Sequence, residues 1–162
     1  MKCNRYMMTL IAVMASVAMM ALGVNDFTFS HLGRSEGMHS QRIYDICQSN
    51  DGAIWWSTKN GVERYNGVTI SHYPLGKQGI YSTDGGRYIK LRINETPDGA
   101  MQLYAFDDKG SIYIYNEATD QFIEEMNIRQ LIAGDVTLND ILFTQQGIWT
   151  ATHDGIYLIN HQ

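Results

Sequence analysis

From Arg42 onward the chain is written in short apolar runs separated by polar turns. Ile43-Tyr44-Asp45-Ile46-Cys47 meets the turn Asn50-Asp51-Gly52, and Ala53-Ile54-Trp55-Trp56-Ser57-Thr58 follows. Asn60-Gly61 then leads into Val62-Glu63-Arg64-Tyr65, and Asn66-Gly67 into Val68-Thr69-Ile70-Ser71-His72-Tyr73. Asx-Gly pairs supply the positive φ that tight hairpin turns need, so each run reads as a strand paired with the next. The unit is a four-stranded antiparallel meander.

The same order returns twice. Tyr88 to Ile93, the turn Pro97-Asp98-Gly99, Met101 to Phe106, the turn Asp107-Asp108-Lys109-Gly110, Ser111 to Tyr115, the turn Asn116 to Asp120 and Gln121-Phe122-Ile123 make a second unit. Leu138 to Phe143, Gln145-Gln146-Gly147, Ile148 to Thr152, His153-Asp154-Gly155 and Ile156 to Ile159 make a third. Gly52, Gly99 and Gly147 hold corresponding places, and their spacing of roughly 47 residues is that of a four-stranded propeller blade. The one segment compatible with a helix is short, Glu124 to Ile132, between the second and third units. A lone meander cannot bury both its faces, so each unit needs a neighbour. The fold class is therefore all-β: a partial β-propeller of about three four-stranded antiparallel blades in an incomplete ring. Blade 1 spans 37–75, blade 2 85–124, a connection with the short helix 125–136, and an incomplete blade 3 137–162. The chain stops after the third strand of its third unit and reads as the amino-terminal part of a larger propeller.

The start of the chain sets the compartment. Lys2 and Arg5 precede the uncharged run Met7 to Leu22, which closes on Ala21-Leu22-Gly23. That order is a secretory signal peptide over 1–23. Its apolar core of roughly 15 residues is short of the ~20 that a membrane helix needs, so cleavage near Gly23 or Val24 is expected and a periplasmic product with no membrane attachment. Cys3 precedes the apolar run and is not a lipoprotein acceptor. Loss of this segment leaves 10 Lys+Arg against 17 Asp+Glu, a formal charge of about −7 that makes nucleic acid a poor partner. Cys47 then lacks an intramolecular mate and reads as a small buried strand residue; the fold does not rest on disulfides.

No group in the sequence is spaced for catalysis. His31, His39, His72, His153 and His161 show no zinc-type pairing and read as scattered surface or turn residues, so no metal is expected. Asn50-Asp51-Gly52 and Asp107-Asp108-Lys109-Gly110 are turns without the acidic spacing of a calcium loop. Glu124-Glu125 read as a solvated face, and Asp84-Gly85-Gly86-Arg87 is too short for a phosphate cradle and leads into a strand, so no cofactor is expected. Binding is better supported. In a meander, the approach to the first strand and the turn between the second and third share one rim. That places Gln41, Arg42, Lys59, Asn60, Arg87, Tyr88, Asn139 and His153 together, with donors and an aromatic face suited to an oligosaccharide. Trp55, Trp56 and Trp149 could serve as sugar platforms, yet at least one of the adjacent pair must point into a blade interface.

The stretch Gly37 to Gly67, with His39-Ser40-Gln41-Arg42-Ile43-Tyr44-Asp45-Ile46 and Asn50-Asp51-Gly52-Ala53-Ile54-Trp55-Trp56-Ser57-Thr58-Lys59-Asn60-Gly61, closely resembles the two-component regulator propeller repeat. That repeat builds the periplasmic sensor region of Bacteroides-type hybrid two-component histidine kinases. The resemblance extends upstream to Phe29-Ser30-His31-Leu32-Gly33, and it implies that 24–36 is an outer strand that pairs with the last blade. It also implies a glycan breakdown product as ligand, recognised by a non-enzymatic fragment whose kinase, receiver and DNA-binding regions lie elsewhere. The second unit departs from the repeat at Leu103-Tyr104, where a Trp-containing strand is expected. Two other readings stand beside this one. The chain is an exported module that completes its ring with copies of itself, or a piece of a secreted hydrolase or lyase in which Asp45, Asp140 and Arg42 are the residues to test.

Overall fold

The computed structural model describes residues 28–75, 88–96, 98–132 and 134–160. Leu32–Gln162 form one compact unit. The leader expected over 1–23 lies outside the described residues.

Strands β1 (Ile43–Gln48), β2 (Ile54–Thr58), β3 (Gly61–Tyr65) and β4 (Ile70–Tyr73) form blade 1 as one antiparallel sheet in chain order. Blade 2 repeats this with β5 (Ile89–Glu95), β6 (Met101–Asp107), β7 (Ser111–Asn116) and β8 (Gln121–Asn127), and blade 3 holds β9 (Leu138–Thr144), β10 (Gly147–Thr152) and β11 (Ile156–Ile159). The partial propeller is thus present as two four-stranded sheets and one three-stranded sheet.

Period-2 alternation gives each sheet two usable faces. Trp55, Val62 and Tyr73 of blade 1 bury themselves against Leu91, Ala105 and Tyr113 of blade 2. The other face of blade 2, with Phe106 and Ile112, meets Ile141, Ile148 and Leu138 of blade 3. One aromatic position organises both contacts. Trp55 of β2 faces blade 2, and Tyr104, its counterpart in β6, stands 4.2 Å from the Phe143 ring of blade 3. The counterpart in β10 is Trp149, opposite Leu142 and Leu158 on the face turned away from blade 2. The blades are also tied along their innermost strands. Asp45 of β1 accepts the Leu91 N–H at 3.0 Å and lies 3.4 Å from Arg92, whose other nitrogen grips both oxygens of Asp140 at 2.6 and 2.7 Å. Asp45 and Asp140, the residues to test for hydrolase chemistry, are therefore partners in a ladder that joins three blades.

Three local expectations change. The segment around Glu124-Glu125 is not helical: β8 runs on to Asn127, and only Ile128–Gln130 turn, as a single 3-10 turn. Pairing with β7 satisfies this backbone, with a bulge between Ile112 and Tyr113, whereas a short isolated helix would carry the cost of nucleation. The Asn127 side chain then caps the turn by accepting the Arg129 N–H at 3.0 Å. Residues 28–33 form no strand. Finally, Gly147 matches Gly52 and Gly99 in order but not in shape. Gly52 and Gly99 both sit at φ 83 inside their turns, while Gly147 at φ 133 opens a strand as Gly61 does at φ 141. At Gly61 and Gly147 a Cβ would fall 2.2 Å from the partner strand's carbonyl oxygen, so these two sites accept only glycine.

Candidate functional site

The rim singled out by the sequence is present and solvent-facing. Gln41 and Arg42 are exposed just ahead of β1, and Lys59 is exposed in the turn between β2 and β3, where the Asn60 N–H donates to Thr58 Oγ1 at 3.1 Å. Tyr88 is 59% exposed ahead of β5, and its ring lies 5.0 Å from that of Tyr44. Asn139 is exposed in β9, and its carbonyl accepts the Lys90 ammonium at 2.8 Å. His153 is exposed in the turn after β10, where Nδ1 accepts the Thr137 N–H at 3.2 Å, which leaves the neutral ring's proton on Nε2. Arg87 lies outside the described residues. The rim thus presents donors and one aromatic face, shared out over three blades.

A cleft of about 520 Å³ lies at the opposite rim, between blades 1 and 2, and of the residues weighed in the sequence for sugar binding only Trp55 lines it, none of the eight rim residues doing so. Its lining includes Trp55, Arg64, Asp51, Gln102, Tyr115 and Asp120. The Arg64 guanidinium sits 5.2 Å over the Trp55 indole and pairs with Asp51 at 2.6 Å. Asp120 accepts the hydroxyls of Tyr115 at 2.6 Å and of Tyr73 at 2.9 Å. Bonds from the Ser49 hydroxyl, the Ala53 N–H and Arg64 hold Asp51 below the usual carboxylate range, and the Tyr115 hydroxyl does the same for Asp120. Burial, with Asp120 second, pushes the Tyr115 phenol above its ordinary value. Carboxylates kept ionised and phenols kept protonated suit hydrogen bonding rather than proton transfer near neutral pH.

The buried surroundings of Trp56 were less legible. Trp56 is buried like Trp55, on the opposite face of blade 1, because its indole N–H donates to Glu63 Oε2 at 3.1 Å. Glu63 brings together two histidines that the sequence treats as scattered. His39 and His72 stack with ring centroids 4.4 Å apart, and each Nδ1 faces Glu63 Oε1, at 4.0 and 3.8 Å. The Glu63 to His72 pairing follows from the hairpin register around Asn66-Gly67. The arrival of His39 from the loop before β1 has no sequence signal.

No family model and no curated protein matches the chain. Solved structures do. The extracellular domain of the hybrid two-component system BT3049 from B. thetaiotaomicron aligns at a TM-score of 0.56 and 15% identity, over 81% of this chain and 20% of that one. An extracellular domain of BT4673 from the same organism, described as a one-component system, aligns at 0.55 and 18% identity, over 79% of this chain and 16% of that one. A second BT4673 structure, described as a hybrid two-component system, gives 0.51 and 17% identity, over 80% and 18%. This chain has their fold. They belong to the class that the Gly37 to Gly67 stretch resembles, and the chain spans a sixth to a fifth of their length. No helix among the described residues is long and apolar enough to cross a membrane.

Proposed function

We propose that the chain supplies the first blades of a periplasmic, ligand-sensing propeller in a hybrid two-component system, that its ligand is a glycan-derived oligosaccharide, and that it performs no signalling catalysis. The likeness of about four-fifths of the chain to extracellular domains of such systems carries this reading. The rim adds chemistry that fits a sugar. Tyr88 offers an exposed ring backed by Tyr44, and Arg42, Gln41, Lys59 and Asn139 offer polar groups on the same rim.

Calorimetric titration of the chain with a panel of plant and host oligosaccharides tests the reading. A sugar that binds should lose about tenfold in affinity, near 1.4 kcal/mol, in Tyr88→Ala and in Arg42→Ala. Binding that survives both changes and is lost in Gln102→Ala would move the site to the cleft on the other rim. Failure of every sugar to bind a folded chain would overturn the ligand class.

A second reading, association with further blades or with copies of itself, draws on the open face of blade 3. There Leu142 is 63% and Ile156 72% exposed, on the same face as Trp149. Cover for such a face is supplied by a docking blade. Sedimentation that shows a monomer at every concentration would remove the copies from this reading.

A further inference from the structure

In blade 2, the face turned toward blade 1 is apolar, with Ala105 and Tyr113 opposite one another across β6 and β7. The matching pair in blade 1 is Trp56 and Glu63, and His72 continues the row across β4. A carboxylate therefore stands where the repeat places an aromatic ring. Glu63 is fully buried, at 0% exposure, and a buried carboxylate is costly unless something compensates its charge. Its hydrogen-bond donors are the Trp56 indole N–H on Oε2 and the His39 backbone N–H on Oε1 at 3.1 Å, both neutral. The two imidazoles complete the surroundings, with ring nitrogens and Glu63 oxygen all within 4.8 Å of one another. His72 Nδ1 is buried and has no hydrogen-bond partner. Stacked rings 24° from parallel do not hydrogen-bond one another, so each keeps a nitrogen for a third body at Glu63 Oε1.

The geometry points to a divalent-cation site of the zinc type formed by His39, Glu63 and His72. Zinc takes imidazole nitrogen and carboxylate oxygen at roughly 2.0–2.2 Å, which puts neighbouring ligands about 3.3 Å apart in a tetrahedron. The observed 3.8 and 4.0 Å lie about 0.5 and 0.7 Å above that separation, and binding turns the two imidazoles out of their stack so that their lone pairs converge beside Glu63. Trp56 orients the carboxylate from behind, as an outer hydrogen bond orients a metal ligand. With His39 half open to solvent, water fills the fourth position.

The test is titration of the chelator-treated full chain with zinc by calorimetry and with cobalt by visible absorption. One equivalent should bind, with the cobalt spectrum of a four-coordinate nitrogen and oxygen site. His39→Ala touches only the solvent side of the cluster, and it should weaken binding at least ~10-fold, the lower end of what loss of even an outer-shell partner costs. His72→Asn should do the same, with far-ultraviolet circular dichroism confirming that both variants fold. No binding by the folded parent chain, or binding unchanged in His39→Ala, would overturn the site. Sugar binding at the rim does not enter this readout, so either proposal can fail alone.

Discussion

Trp55 and Trp149 occupy the same position of the blade repeat, yet the fold assigns them different energetics. Trp55 is 2% exposed, with the rings of Tyr115 at 4.8 Å, Tyr73 at 5.3 Å and Phe122 at 6.1 Å, and its indole N–H donates to Ser49 Oγ at 2.9 Å. Trp55→Ala opens a cavity between two blades and should cost about 3–5 kcal/mol. Trp149 is half-buried on the open face of blade 3, where the site can be filled by water and no closed cavity forms. Trp149→Ala should cost about 1–2 kcal/mol, a fraction of the transfer free energy of a fully buried side chain. The difference of ~1–4 kcal/mol is a sizeable part of a domain's typical 5–15 kcal/mol. Urea unfolding of the full chain, followed by far-ultraviolet circular dichroism, measures it as a shift in midpoint at constant slope. Should Trp55→Ala fail to fold, Trp55→Phe keeps the ring and loses the bond to Ser49, for about 1 kcal/mol. Equal costs at the two tryptophans, or a larger one at Trp149, would refute the assignment of this position to the forward face of each blade.

Gly61→Ala should cost more than ~2 kcal/mol, since its Cβ would meet the Tyr73 carbonyl, whereas Gly67→Ala, with nothing within 4 Å, should cost only the ~1–2 kcal/mol of its positive φ; parallel urea curves separate them. Cys47 should resist thiol reagents. Burial, with the Asp45 carboxylate adding and Arg92 opposing, pushes its pKa up to about 11, so at pH 8 the native chain should react about 100-fold or more slowly than the same chain in urea, and equal rates would contradict this. Asp51 and Asp120 have folded-state pKa values below the unfolded one, so their contribution is complete above the ordinary carboxylate range and is lost as pH falls through the lowered values. The double variant Asp51→Asn, Asp120→Asn should therefore show a flatter decline of urea midpoint below pH 4 than the parent, and an unchanged slope would remove these two bonds from the acid response.

What the sequence made legible was whatever rests on local chemistry. Asx-Gly turns and period-2 runs specify strands and their order, because positive φ and pleat alternation act over a few residues. Asn66 shows the limit of this, since its side chain accepts the Val68 and Thr69 N–H groups and delays β4 to Ile70. The end of blade 2 was misread because Glu124 and Glu125 carry no strand signal of their own; their conformation is set by the ladder with β7. The rim residues were proposed from topology alone. The cleft was not, because Arg64 and Asp51 come from one blade and Gln102, Tyr115 and Asp120 from the next, and only packing joins them. The histidine cluster fails to show for the same reason, since His39 and Glu63 meet across 24 residues of chain.

The repeat also gives the chain a direction. Trp55, Tyr104 and Trp149 all face forward, so the open face of blade 3 repeats a surface that in blades 1 and 2 is covered by the next blade. The backward face of blade 1 breaks the repeat, with Glu63 and His72 beside Trp56 and the exposed Ile46. A blade docking there, whether from further chain or from a second copy, would strip water from His72 and enclose the carboxylate more deeply. An uncompensated charge opposes that docking by several kcal/mol, while a bound dication neutralises it. Cation binding and blade docking at this face are therefore expected to be coupled, each strengthening the other to the same degree by linkage. Sedimentation with and without zinc would show this as association that tightens with the cation in the parent chain and is indifferent to it in His39→Ala. Association of equal strength under both conditions in the parent would separate the two events and leave the polar row of blade 1 without a part in docking.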